Sequence, residues 1–183
     1  WDTIIFNHLK SKNIVAPAVV ESKESRGYEG AYVKDPVVGF HDWIVSFDLN
    51  SLYPHLIMQY NISPETFIDC EKGVVNVENM LNQKSDLSGL DGATITPNGA
   101  RFRTDKQGFL PELMDKLYKE RVIYKNKMAK AKALYEETGD KRLKNDITKN
   151  YNIQLSRKIA LNSAYGAIGN QYFRYFDVRH AEG

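Results

Sequence analysis

Cysteine is all but missing from this chain. The single Cys70 excludes an internal disulfide and any thiolate-based zinc site, and it suits a reducing compartment. Long apolar runs are missing as well. None approaches the roughly 18 residues that a membrane span requires, and nothing at Trp1 resembles a signal peptide. A cytoplasmic protein with no membrane partner is the expectation. Charge of one sign is lacking, since 25 Lys and Arg stand against 23 Asp and Glu and leave a formal +2. Bulk charge therefore says nothing about a polyanionic partner. His8, His41, His55 and His180 share no metal-ligand spacing, and no internal repeat or low-complexity tract is present. What remains is ordinary globular composition, 42% hydrophobic and 26% charged. A length of 183 residues suits one domain, or one domain with a projecting element. The chain opens on Trp1 rather than Met and closes on what reads as an interrupted segment, so an excerpt of something longer is expected.

Apolar residues at helical spacing over 1–13 predict a helix there, and the turn-rich stretch 14–30 reads as an extended connector. The β-branched and aromatic run at 43–48 predicts a short strand. A helix is predicted over 51–60, with Leu52, His55, Leu56 and Gln59 on one face. It is closed at 61–64, because Pro64 and the residue before it resist the α conformation. Residues 66–110 read as short strands and turns, with Pro97-Asn98-Gly99 and Asp105-Lys106-Gln107-Gly108 as hairpin-like punctuation. Pro111 before Glu112 predicts the start of a long helix that ends near Thr138. The chain turns back at Thr138-Gly139-Asp140, and a second helix runs from Lys141 to Tyr165 and stops at Gly166. Two long antiparallel helices joined by a tight turn make an αα-hairpin. The fold class is therefore α+β: an antiparallel sheet with helices, from which a two-helix hairpin projects.

Charge is unevenly distributed along that plan. Residues 112–158 hold 13 Lys and Arg against 7 Asp and Glu, whereas the rest of the chain holds 12 against 16. The basic hairpin is either a solvated face or a surface for polyphosphate. Three constellations carry candidate chemistry. In the stretch 46–54, SFDLNSLYP, Asp48 ends an apolar strand just before a helix. A carboxylate on a rigid edge suits a hard divalent cation. The amides of Ser51, Leu52 and Tyr53 then sit near a helix N-terminus, where free N–H groups and the helix dipole favour phosphate. The alternative is that Asp48 is a helix cap. In the stretch 157–166, RKIALNSAYG, Lys158, Asn162 and Tyr165 fall at i, i+4 and i+7 and share one helix face. A cation, an amide and an aromatic ring on one stripe suit a nucleotide; the alternative is an amphipathic helix with a core tyrosine and Gly166 as its C-cap. Arg121 and Lys125 are again i and i+4. Arg121 lies 17 residues before Thr138 and Lys158 lies 20 beyond it, so antiparallel packing puts these cations at similar depth.

Together these motifs resemble those of the family B (Pol α-like) DNA polymerases. DLNSLYP at 48–54 is similar to the family's first palm motif, DxxSLYP, and KIALNSAYG at 158–166 to its fingers motif, KxxxNSxYG. Further stretches, at 1–7, 28–34, 61–66, 97–99 and 169–175, resemble in particular the replicative polymerases of T4-like bacteriophages. The resemblance implies a connector at 1–30, a first part of the palm at 31–110, the fingers hairpin at 111–166 and a return to the palm at 167–183. It implies DNA-directed DNA polymerase activity, with primer-template DNA and dNTP as partners and two Mg²⁺ ions as cofactor, in the host cytoplasm if the source is viral. Asp48 and the Leu49 carbonyl are implied as metal ligands. Backbone amides of Ser51, Leu52 and Tyr53 are implied to hold the triphosphate, with the Tyr53 ring excluding a 2′-hydroxyl. Arg121, Lys125 and Lys158 are implied on the β- and γ-phosphates, with Asn162 in the same polar network and Lys158 counted with Asp48 as catalytic. Tyr165 and Gly166 face the nascent base pair on this reading, and Tyr28 and Gly30 contact template.

The implied mechanism is in-line attack of a primer 3′-hydroxyl on the α-phosphate with two-metal assistance. The family's YGDTDS motif, which supplies a second metal-binding carboxylate, is not in the chain. Neither Asp42 nor Asp177 has the context to replace it. The expectation is an incomplete polymerase, inactive by itself, or one half of a naturally split enzyme completed by a second polypeptide. The rival from another class is a non-catalytic nucleic-acid-binding module.

Overall fold

The computed structural model describes residues 1–18, 33–71, 73, 75, 77–85, 88 and 90–183. Among these, the elements in chain order are α1 (Asp2–Ser11), α2 (Leu52–Tyr60), β1 (Phe67–Cys70), α3 (Val77–Leu81), β2 (Ala93–Ile95), β3 (Ala100–Arg103), α4 (Phe109–Thr138), α5 (Leu143–Ile168) and α6 (Val178–Glu182). The expected α+β class is found, as six helices and one small antiparallel sheet among the described residues. The sheet has the order β1-β3-β2. Phe67 pairs with Phe102 and Cys70 with Ala100, while Thr94 pairs with Phe102 from the other side. A bulge between Phe67 and Asp69 brings Asp69 opposite Arg101, whose guanidinium grips the carboxylate in a bidentate ion pair. The turn between β2 and β3 holds Gly99 at φ 87°, a left-handed value that favours glycine.

The core sits where the roots of α4 and α5 meet α1, α2 and the sheet. On α4, Leu110, Leu113, Met114 and Leu117 recur at helical spacing and are buried. From α5 come Leu161, Ala164 and Ile168, and from the other elements Ile5, Leu9, Ile57, Phe102 and Phe173. Full burial of a leucine-sized side chain contributes about 2 kcal/mol. Beyond Leu117 no residue of α4 is buried, and the hairpin continues outward as a mostly solvated pair of helices. It reverses at Gly139, which caps α4 in the left-handed region at φ 67°.

A knot of polar groups ties the root of α4 to the end of α2. Asn61 ends α2 in the left-handed conformation, φ 57°, so the stop is made there rather than at Pro64. Its buried side-chain amide donates to the carbonyls of Arg103 (2.6 Å) and Lys106 (2.8 Å), and its Oδ1 accepts the Gly108 N–H at 2.9 Å. Glu65 accepts the Phe109 N–H at 2.5 Å and the Ser63 hydroxyl at 2.6 Å. The first turn of α4, whose N–H groups lack intrahelical partners, is thus capped by side chains 44 and 47 residues upstream. Residues 105–108 accordingly lead into α4 rather than forming a hairpin, and Pro111 is its third residue, not its first.

Two further expectations are corrected. Residues 43–48 form no strand: the segment 33–49 is irregular, with Phe40, Trp43, Ile44, Val45 and Phe47 exposed. A strand exists only by pairing, and no described strand lies beside this one. Gly166 does not stop α5. The helix runs on to Ile168 because Ala164 and Ile168 are both pulled into the core, and Gly169 caps it instead. Tyr28 and Gly30 lie outside the described residues.

Gly108 leaves no room for a side chain, since an added Cβ comes within 2.5 Å of the Ser63 Cβ. Gly108→Ala is expected to cost about 1–3 kcal/mol, and Asn61→Ala at least about 2 kcal/mol for the groups it strands. Both are read as a lower urea midpoint at unchanged slope. A second outcome concerns pH. Lys12, with His8 beside it, holds the Glu112 carboxyl below its ordinary value and joins α1 to α4. A depressed carboxylate pKa gives stability that is present above the ordinary value of 4.5 and lost as pH falls through the folded value. Glu112→Gln should therefore flatten the acid limb of a thermal-melting series below pH 5 and lower stability at pH 7.

Candidate functional site

One cleft of about 750 Å³ is lined by residues 47–54 from the lead-in to α2, by Arg121 from α4, and by Lys158 and Asn162 from α5. It lies just above the point where the hairpin core ends. Its floor is the start of α2. Ser51, the residue before the helix, adopts the left-handed conformation (φ 55°, ψ 46°) and makes no side-chain cap. The first helical hydrogen bond is His55 N–H to the Ser51 carbonyl at 3.2 Å. The Leu52 and Tyr53 amides therefore precede the ladder, and Pro54 has no N–H to offer. The Ser51 hydroxyl instead accepts from Arg121 Nη1 at 3.0 Å, which draws α4 over the loop. Arg121 Nε is buried with no hydrogen-bond partner among the described residues. A buried donor of this kind calls for an acceptor, and it lies at the wall of a cleft.

The sequence-predicted residues can now be located one by one. Asp48, Leu49, Ser51, Leu52, Tyr53, Arg121, Lys158 and Asn162 all line this one cleft. Lys125 does not; it lies one turn further out on α4 and is exposed. Asp48 belongs to the irregular segment rather than to a strand end, so its expected rigid mount is missing. Tyr165 stacks on Tyr53 with ring centroids 4.5 Å apart and planes inclined by 16°. Gly166 is one residue further along α5, exposed, with nothing near enough to meet an added Cβ. Tyr53 also lines a second cavity of about 170 Å³, shared with Tyr165, Ile168 and His180, and so borders both spaces.

Sequence reasoning missed the partners that hold this arrangement. Phe47, Asn50 and Pro54 line the cleft as well. Arg157 Nε donates to Glu120 Oε2 at 2.6 Å across the hairpin. That contact puts residues 120 and 157 at one level, and with them Arg121 and Lys158. The signal was in the chain: each cation of the cleft directly follows one member of an oppositely charged pair.

For a hard cation, the donors present are right in kind and too few in number. The cleft is lined by the carboxylate-bearing Asp48 and by Leu49 with its carbonyl, both oxygen donors that suit Mg²⁺. Among the described residues no three His, Cys, Asp or Glu come together as a metal group. Chemically, the cleft brings one carboxylate and two cations to a single space.

A cleft lined by one carboxylate and two cations, at the root of a basic helical hairpin, is what this geometry defines. Residues 2–182 match the family model described as DNA polymerase family B, and the chain belongs to that family. It is 32% identical to the DNA-directed DNA polymerase of Escherichia phage RB69 over 99% of this chain and 24% of that protein. Against the DNA-directed DNA polymerase of Enterobacteria phage T4 the identity is 31%, with the same coverage. It is 32% identical to DNA polymerase 1 of Pyrococcus abyssi over 93% of this chain and 19% of that protein. The chain thus spans about a quarter of the phage polymerases it matches. Among the described residues no helix is long and apolar enough to cross a membrane.

The Tyr53–Tyr165 stack supplies a test of the site's own packing. Tyr53→Ala should cost about 1 kcal/mol beyond lost area, the worth of an aromatic pair. It should also join the two cavities, read as increased dye binding and a loss of near-ultraviolet circular dichroism.

Proposed function

We propose that this chain is the portion of a DNA-directed DNA polymerase that receives the incoming deoxynucleoside triphosphate and supplies one corner of its metal site. The observation that carries this reading is the shared cleft: residues 48–54, Arg121, Lys158 and Asn162 are far apart in sequence and line one space of about 750 Å³. Residues 31–110 and 167–183 are read as parts of the palm, residues 111–166 as the fingers and residues 1–30 as the connector before them.

In this reading the Leu52 and Tyr53 amides, with that of Ser51, hold the triphosphate at the mouth of α2. Arg121 and Lys158 neutralise the β- and γ-phosphates from the hairpin side, and Lys125 joins them from the next turn as the hairpin closes. Asn162 extends the same polar wall. The Tyr53 ring lies under the sugar and excludes a 2′-hydroxyl, while Tyr165 and Gly166 present a flat surface to the nascent base pair. Tyr28 and Gly30 are assigned to template contact. Two Mg²⁺ ions, held in part by Asp48 and the Leu49 carbonyl, supply Lewis acidity at the α-phosphate when bound. The primer 3′-hydroxyl displaces pyrophosphate in line, and the cations of the hairpin stabilise the departing charge. Closure over a correct pair assembles the site, so selection is by induced fit.

The chain alone is proposed to be inactive, because the cleft holds one carboxylate where a metal pair needs more. Completion by further polypeptide, continuous or separate, is supported by the exposed apolar run at 33–49, which lacks a pairing strand among the described residues. Primer extension with Mg²⁺ and the four dNTPs tests this directly. No extension is expected from the 183-residue chain, and robust synthesis would refute the proposal. In the completed polymerase, Asp48→Ala should abolish synthesis and leave DNA binding largely intact. If the basic hairpin instead makes this a non-catalytic nucleic-acid-binding module, Asp48→Ala has no effect and binding weakens steeply with salt.

A further inference from the structure

The fully buried apolar packing of the hairpin ends below its two cations. On α4 the last buried residue is Leu117, four positions short of Arg121. On α5 the buried residues are Leu161, Ala164 and Ile168 at the root, and beyond them only Gln154. At the level of Arg121 and Lys158 the helices carry half-buried rather than buried side chains, Tyr118, Arg121 and Tyr124 on α4 and Arg157 on α5, with Gln154 buried just beyond. Among the described residues, one ion pair joins α4 to α5, and it lies at this level: Arg157 Nε to Glu120 Oε2 at 2.6 Å, both side chains about one-third exposed.

Its placement has a geometric consequence. Successive residues on a helix are turned by about 100°. With Glu120 turned toward α5, Arg121 is turned to the side, where it reaches the Ser51 hydroxyl and the cleft. With Arg157 turned toward α4, Lys158 likewise lines the cleft. A slip of one turn, about 5.4 Å, would separate the two cations by more than the span between neighbouring phosphates. We infer that Glu120 and Arg157 are positioning residues: their ion pair sets the rotation and axial register of the fingers helices, and so makes Arg121 and Lys158 converge on one triphosphate. This rests on the phosphate reading of the cleft given above. Partly exposed pairs contribute little to stability, so the pair's effect should appear in anion affinity rather than in melting.

The test is calorimetric titration of inorganic tripolyphosphate into the 183-residue chain, with thermal melting of each variant alongside. Glu120→Gln and Arg157→Gln should each weaken tripolyphosphate binding roughly tenfold, in the range of coupling expected for residues in direct contact, with melting nearly unchanged. The charge-reversed double variant, Glu120→Arg with Arg157→Glu, should recover most of the affinity, which a loss of net charge or a fold defect would not allow. Hydrogen exchange of residues 118–125 and 152–158 should rise in the single variants and fall back in the double one. If Arg121→Ala loses affinity while Glu120→Gln does not, or if the double variant fails to recover, the positioning role is wrong and the phosphate reading survives. If neither Arg121→Ala nor Glu120→Gln alters binding, or the chain takes up no tripolyphosphate, the phosphate reading itself falls and the positioning role with it.

Discussion

The structure hangs on the side chain of Asn61. One buried amide holds the end of α2, the exit of β3 and the first N–H groups of α4 in a single hydrogen-bonded knot. Glu65 and Ser63 complete the cap from the same loop. Because α2 presents Tyr53 and the cleft floor, while α4 carries Arg121, this knot decides where a wall contributed by the hairpin stands relative to the floor. Gly108 is required at the crossing because backbone and loop approach too closely for a Cβ. A helix thirty residues long is thus aimed from its first turn.

From that root the hairpin changes character along its length. Its first turns are fixed by core packing, an ion pair and half-buried side chains follow, and its far end is closed by the left-handed cap at Gly139. The cleft sits at the transition between the first two regimes. Low burial beyond Leu117 leaves the outer hairpin with fewer core contacts than its root. Arg121 lies one turn beyond the last buried residue of α4.

Local features of this fold were legible in the chain. The helical spacing of 1–13, the hairpin reversal at Gly139 and the motif at 48–54 leading into a helix all rest on short-range rules, and the elements formed there. The convergence of Arg121 and Lys158 followed from counting residues outward from a turn. What escaped depends on distant partners. A strand at 43–48 was expected from β-branched and aromatic content, yet pairing is a property of neighbours, and none is described beside it. Gly166 looked like a helix stop, but burial of Ala164 and Ile168 carried α5 past it. Asn61 looked like loop punctuation, and nothing local distinguishes a turn asparagine from one that caps a helix 47 residues away. Glu120 and Arg157 each resemble solvated helix charge until the two helices are laid side by side.

Membership of DNA polymerase family B sets the chain among much longer polymerases. Within that family, Asp48 and the hairpin cations are proposed to address one nucleoside triphosphate across a single cleft. The most direct measurement is a crystal structure of the chain with Mg²⁺ and a non-hydrolysable dNTP analogue. The account predicts β- and γ-phosphate density between Arg121 and Lys158 with the sugar against Tyr53. An analogue bound elsewhere, or a cleft holding only solvent at saturating ligand, would contradict it.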